Sequence, residues 1–302
     1  MAMDALRELV TRLNTSATAL AALGAALDAR TSRTSLDSAI APHVDEILAA
    51  LGVETLDGLT QAELRSTLGE IRSFTLTNAK LLFGASRGSR WEHTEPEILE
   101  AAGEVSAAFP RVLERAIVPK LEGLADRLIS PGAAFLDVGV GVAAMSIEMV
   151  RVWPSLRVVG IDPWAPALAI GRERVRAAGL DARIELRELA AEKLADEDAF
   201  DLAWIPSVFV PERAIRTIVQ RVHRALRPGG WLLFPMMRPG SDRLAASLVR
   251  LRTAMFGGCG IMPENVERLL CEAGFVDVRM LPSDAASLTA MVVGRRLGGE
   301  AG

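Results

Sequence analysis

Histidine is scarce in this chain, with three residues at positions 43, 93 and 223. So few imidazoles leave no set from which to build a histidine-rich metal centre. Cysteine is scarcer still: Cys259 and Cys271 stand on either side of a predicted helix start. Two residues make neither a zinc framework nor a disulfide scaffold, so free thiols in a reducing compartment are expected. Lysine occurs only at positions 80, 120 and 193, and the net charge of −4 gives no general attraction to nucleic acid or an anionic membrane. No apolar run reaches the ~20 residues of a membrane-spanning helix. The opening MAMDALRELV carries an acid early and alternates polar with apolar residues, as an amphipathic helix does and a signal peptide does not. The expectation is a soluble, cytoplasmic protein that holds no metal.

What is present is apolar: half of 302 residues, enough to bury one large core or two modest ones. Residues 1–130 read as an all-helical N-terminal region. In HVDEILAALG, the residues Val44, Ile47, Leu48 and Leu51 share one face at helical spacing. TQAELRSTLGEIRSF opens with Thr60 and Glu63 at capping-box spacing, after which Leu64, Leu68, Ile71 and Phe74 recur every three or four residues. GASRGSRWEHTEPE then interrupts the pattern with small and polar residues. Helical character resumes at Glu95, and Pro110 and Pro119 start or kink the helices that follow.

Across residues 131–302 the rhythm changes. AAFLDV, RVVGID, RIELREL, FDLAWI and GWLLFPM are strand-like runs separated mostly by helical patterns, which predicts a parallel sheet with helices on both faces. After a helix near 263–273, FVDVRML and LTAMVVGR are joined by a few residues around Pro282 and Ser283. That connection is too short for a helical crossover, so the last two strands should pair antiparallel.

The chemistry begins at FLDVGVG, where Asp137, Gly139 and Gly141 end the first strand. Ligands of open parallel sheets sit beyond the carboxyl ends of the strands, and glycines there let backbone approach a ligand. Gly139, Gly141 and Ala144 also satisfy a GxGxxA dinucleotide fingerprint, with Asp162 as the ribose-binding acid. Three features favour S-adenosylmethionine instead. Asp137 puts a carboxylate where the dinucleotide pattern has an apolar residue, suited to the amino group of a methionine moiety. VVGIDPW ends the second strand in Asp162, an acceptor for two ribose hydroxyls. RALRPGGWLLF makes a tight turn from helix into strand at Pro228, Gly229 and Gly230.

FLDVGVG, VVGIDP and LRPGGWLLF, in this order, resemble the recurring motifs of class I S-adenosylmethionine-dependent methyltransferases, over about 133–296. The resemblance implies an α/β, Rossmann-like seven-stranded sheet whose terminal hairpin inserts the last strand antiparallel. It implies that Gly139, Val140 and Gly141 wrap the methionine end, that Asp162 holds the ribose, and that Pro163 or Trp164 lies against adenine. The family aspartate that receives the adenine amino group has no counterpart here. Either Glu188 substitutes from a shifted position or backbone groups of Leu189 and Ala190 hold the base.

The loop after the fourth strand, WIPSVFVPE, should border the methyl group with Ile205 and Pro206. It lacks the Asp/Asn-Pro-Pro-aromatic run of base-modifying enzymes and offers no acid for a metal. A small, fairly apolar acceptor is expected, in a pocket lined by Trp91, His93, Ser207, Phe209, Met236 and Met237. His93 is the one histidine considered as a catalytic base, weighed against a plain loop position beside Thr94 as helix cap. His43 and His223 are expected on polar helix faces. Arg213, Arg216, Arg224 and Arg227 are expected on the solvated side of the helix opposite Ile215, Ile218, Val219 and Val222. Helices that cap the pocket or join two subunits would account for the N-terminal region. Two other readings stay open: a nicotinamide-dependent oxidoreductase, and a non-catalytic module built on the cofactor fold.

Overall fold

Short apolar runs such as AFLDV and RVVGID suit strands covered on both faces, and seven strands assemble into one sheet. They are β1 (Ala134–Val138), β2 (Arg157–Asp162), β3 (Ile184–Glu188), β4 (Phe200–Trp204), β5 (Leu226–Met237), β6 (Phe275–Met280) and β7 (Thr289–Arg296). The computed structural model describes residues 3–53, 55–84, 91–238, 240, 242–282 and 289–298. Ser283, placed at the terminal hairpin turn, and residues 85–90 of the break lie outside them. Sheet order is β3-β2-β1-β4-β5-β7-β6. The first five strands run parallel, and β7 is antiparallel to both β5 and β6.

The two faces of β1 show how the helices cover the sheet. Phe135 packs with α6 (Leu124–Ile129), α7 (Ala144–Val152) and α8 (Ala165–Ala177). Leu136 and Val138 pack on the other side with α9 (Glu212–Ala225) and α11 (Pro263–Glu272). Among the described residues no helix is long and apolar enough to cross a membrane.

At the amino ends of the strands, the buried Asp201 accepts from Arg127 (3.2 Å), Arg227 (2.5 Å) and the Ala134 N–H (3.0 Å). Arg227 is therefore not part of a solvated stripe: it is half-buried and paired with a carboxylate. Strand pairing begins at Leu226, before the Pro228–Gly230 turn, and the turn is absorbed as an irregularity in the β4–β5 register. A Cβ on Gly230 would meet three carbonyl oxygens at 2.9–3.2 Å, so the turn admits no side chain there.

His223 also departs from expectation. Its ring stands edge-on to Phe275 at 4.7 Å, and Nε2 is buried without a hydrogen-bond partner. The start of β6 covers a position that helical periodicity alone assigns to solvent. His43 is exposed, as expected. Cys259 is buried and Cys271 exposed, both as free thiols.

The N-terminal helices are α1 (Met3–Ser32), α2 (Ala41–Ala50), α3 (Gln61–Leu82), α4 (Pro96–Glu104) and the short α5 (Phe109–Val112). Thr60 and Glu63 form the expected reciprocal cap: the Thr60 N–H donates to Glu63 (2.7 Å) and the Glu63 N–H donates to Thr60 Oγ1 (3.2 Å). These bonds hold the Glu63 carboxyl below its usual range. Leu64, Leu68 and Ile71 then pack on Leu27 of α1. Val44 and Leu48 pack on Ala22, whereas Leu51, expected on the same face, is exposed at the helix end. Pro110 and Pro119 stand at the starts of α5 and of a short tight turn, Val118–Lys120. Leu113, Val118, Leu121 and Leu124 belong to the core beneath the sheet.

Two glycines let α3, α4 and the loop after β1 meet closely. A Cβ on Gly69 would lie 2.9 Å from the Ala101 carbonyl, and one on Gly103 would lie 2.2 Å from Val142. Around them Arg65 reaches Glu104 (3.3 Å) and Glu148 (2.5 Å), Arg174 pairs with Glu104, and Arg151 with Glu148 (2.6 Å). These pairs, partly shielded from water, join α3 and α4 to α7 and α8 directly over the glycine loop.

Candidate active site at the glycine loop

β1 delivers Asp137 to the carboxyl edge of the sheet, and Gly139 and Gly141 then take φ of +73° and +53°. L-side chains rarely adopt that conformation, so both glycines are conformational requirements. The Gly139 and Val140 N–H groups donate to the Ile161 carbonyl at 2.8 and 3.2 Å. Val140 turns its side chain down onto Gly160, where a Cβ would stand 2.5 Å away. The Gly141 N–H donates to Asp162 Oδ2 (3.0 Å), and the Trp164 N–H to Asp162 Oδ1 (2.8 Å). Asp162 thus ties the first loop to the second.

Asp137 and Asp162 are 2 % and 9 % exposed. The Ser146 hydroxyl donates to Asp137 (2.6 Å). Burial raises both acids, and pushes Asp137 up to about 7, with the nearby Asp162 charge adding to the shift. Two desolvated carboxylates beside a glycine loop are a site that a positive charge would stabilise.

The segment 91–95 folds onto this edge. Trp164 Nε1 donates to the His93 carbonyl at 2.6 Å. Leu99 of α4 packs with Val142, and Trp91 and Trp164 pack against the same cluster. The His93 ring is 4.7 Å from Trp91, which is 5.2 Å from Phe209 and 5.0 Å from Phe256; Phe209 and Phe256 stack at 5.4 Å. Phe256 ends α10 (Arg243–Phe256) and is not among the pocket residues expected from the sequence. No local pattern singles it out, because its partners lie about 50 and 165 residues away along the chain.

His93 is 9 % exposed, and Nδ1 lies 3.8 Å from Glu95, which Lys80 also holds. Lys80 pulls the Glu95 carboxyl down to about 2. Burial lowers the His93 pKa against the attraction of Glu95, leaving a neutral imidazole at pH 7. Thr94 does not cap α4: Glu95 occupies that position, without a side-chain cap.

The other expected residues divide. Pro206 comes within 3.6 Å of a Cβ built on Gly139, so the loop after β4 abuts the glycine loop. Ser207 is buried and its carbonyl accepts from the Cys259 N–H (3.1 Å). Ile205 and Met236 belong by their side chains to the sheet core, because strand alternation turns them inward; this corrects the pocket placement of Met236. Met237, on the opposite phase, is half-buried. At the end of β3 Glu188 is exposed, and the Leu189 N–H already donates to the Asp162 carbonyl (3.1 Å). Pro163 is exposed and Trp164 half-buried.

This sheet order, with an antiparallel strand inserted between β5 and β6, departs from the dinucleotide-binding order 3-2-1-4-5-6 and defines the class I methyltransferase fold. Residues 135–230 match a family model described as a methyltransferase domain. Over 147 residues it is 31% identical to the demethylmenaquinone methyltransferase of Thermus thermophilus, covering 44% of this chain and 65% of that one. An O-methyltransferase family protein from Burkholderia thailandensis shares the fold over 99% of both chains, with a TM-score of 0.58 at 17% identity. The pyocyanin biosynthetic protein PhzM does so over 98% of this chain and 100% of its own, with a TM-score of 0.62 at 17% identity. The chain spans about half to two thirds of the length of the curated relatives it matches first. The inserted antiparallel strand weighs against the oxidoreductase reading of the glycine loop.

The raised pKa of Asp137 has a consequence for stability. Between its ordinary value of 3.8 and about 7 the folded protein binds a proton that the unfolded chain has released, so stability falls as pH rises across that window. Asp137→Asn removes the effect. Urea denaturation of the ligand-free protein should show the variant gaining on the wild type by ~2–3 kcal/mol between pH 5 and pH 8. Parallel pH profiles for the two proteins would contradict the assignment.

Proposed function

We propose that the protein binds S-adenosylmethionine at the carboxyl ends of β1 and β2 and transfers its methyl group to a small, fairly apolar organic acceptor. The observation that carries this is the buried Asp137–Asp162 pair behind a glycine loop with positive φ. In this reading Asp137 and the backbone of Gly139, Val140 and Gly141 hold the methionine end. Asp162 accepts the ribose hydroxyls on the lone pairs that Gly141 and Trp164 leave unused. Pro163 and Trp164 border the adenine on one side. Glu188 and Ala190 hold its edge, together with the carbonyl of Leu189, whose N–H is already committed. The Ile205 backbone and Pro206 border the reacting carbon. When bound, the cofactor supplies an electrophilic methyl group on a sulfonium.

The chain's own part is to orient the acceptor and exclude water, which is worth effective molarities of about 10⁵–10⁸ M when alignment is good. His93 takes the proton from an acceptor that must lose one, and Glu95 steadies the imidazolium that forms. The N-terminal region, residues 1–130, covers the site, and residues 131–302 form the catalytic domain. Net charge of −4 and the apolar Ile205–Val208 run favour a small molecule over nucleic acid. Two free thiols suit a cytoplasmic location, which recovery of the protein in an oxidising compartment would contradict.

The first half of α1 exposes Met3, Leu6, Val10, Leu13 and Leu20 at heptad-like spacing, and a second copy of the chain is the partner we assign to that stripe.

Three measurements test these statements. Calorimetry should give micromolar binding of S-adenosylmethionine and S-adenosylhomocysteine, none of NADH, and a loss of roughly a hundredfold in Asp162→Ala, since each charge-assisted bond contributes about 1.5–3 kcal/mol. His93→Ala should lower kcat by about 10²-fold or more at unchanged cofactor affinity; turnover within about threefold of wild type removes the base role. Light scattering should return a dimer that Leu6→Glu with Leu13→Glu dissociates, and a clean wild-type monomer refutes the stripe's assignment.

A further inference from the structure

Arg252 differs from several other half-buried arginines. Arg65, Arg127, Arg174 and Arg227 each hold a carboxylate. Arg252, among the described residues, forms no ion pair within 4.0 Å. Its guanidinium carbon instead lies 3.3 Å from the ring centroid of Phe74 on α3. The flat face is thereby occupied, while the N–H groups project from the edge of the plane. Burial lowers its pKa and Glu70 compensates only from a distance, so the cation is desolvated without being neutralised.

Its place on α10 gives this a direction. Arg252 is one helical turn before Phe256, and residues four apart share a helix face. Phe256 is the residue whose ring meets Trp91 and Phe209, and Trp91 meets His93. One face of α10 therefore presents an aromatic wall and, a turn away, a cation with unused donors. A planar apolar body suits the ring edges, and a carboxylate suits the planar fork of a guanidinium.

We propose that Arg252 is a specificity-determining residue that recognises an anionic group on the methyl acceptor, so that the acceptor is an aromatic acid. This rests on the methyltransferase reading and refines its fairly apolar acceptor to one with an apolar body and a single negative end. Phe74 holds the guanidinium plane, and the acceptor's carboxylate replaces the acid partner that the fold leaves out.

The test uses the full chain and two probes of equal shape, 2-naphthoate and 2-naphthamide, titrated calorimetrically with and without S-adenosylhomocysteine. The wild type should favour the acid by about tenfold, the lower range for a charged hydrogen bond. Arg252→Met should reduce the preference below threefold, and Arg252→Lys, which keeps the charge but loses the planar fork, should leave it between the two. Equal affinity for both probes, binding of neither, or a preference that survives in Arg252→Met overturns the proposal. S-adenosylhomocysteine titrated alone separates the two readings. If it fails to bind while the acid preference stands, the methyltransferase reading is lost and the anion site remains; if it binds without any acid preference, the reverse holds.

Discussion

Asp162 is the residue on which the geometry of the site depends. Its carboxylate accepts the Gly141 and Trp164 N–H groups, so a single side chain fixes the loops that follow β1 and β2. Burying that charge is unfavourable unless hydrogen bonds or an opposite charge offset it, and two backbone donors offset only part. Asp137 lies close enough to feel the same field, and the Ser146 hydroxyl donates to it. Among the described residues no cation pairs with either carboxylate, an arrangement that a positively charged ligand would stabilise.

The N-terminal helices are bound into the same arrangement. Gly103 permits α4 to lie on Val142 of the glycine loop, and Gly69 permits α3 to lie on α4. Arg65, Glu104, Glu148 and Arg174 bridge the contact between the two regions. Trp164 also donates to the His93 carbonyl, which ties the loop after β2 to the segment 91–95. The N-terminal helices and the loops after β1 and β2 are therefore one packed unit.

Some of this was readable from short stretches of sequence. The seven strands, the Thr60–Glu63 cap and the turn glycines express local rules: apolar runs, side-chain capping, and positive φ that only glycine tolerates well. Asp137 and Asp162 were legible because they sit at fixed offsets from those glycines. Met236 and His223 were not placed correctly, for a common reason. Which phase of a strand or helix is covered depends on what packs against it, and His223 is covered by the start of β6, some 50 residues further on.

The sequence by itself determined the class of fold and the placing of the glycine loop, Asp137 and Asp162 at the carboxyl edge of the sheet, since each is set by residues a few positions apart. Only the tertiary structure decided that Phe256 joins Trp91 and Phe209, that Arg227 pairs with Asp201, and that Arg252 meets no acid among the described residues. Those facts depend on segments far apart in the chain being packed together, and neither periodicity nor spacing encodes which distant surfaces will meet.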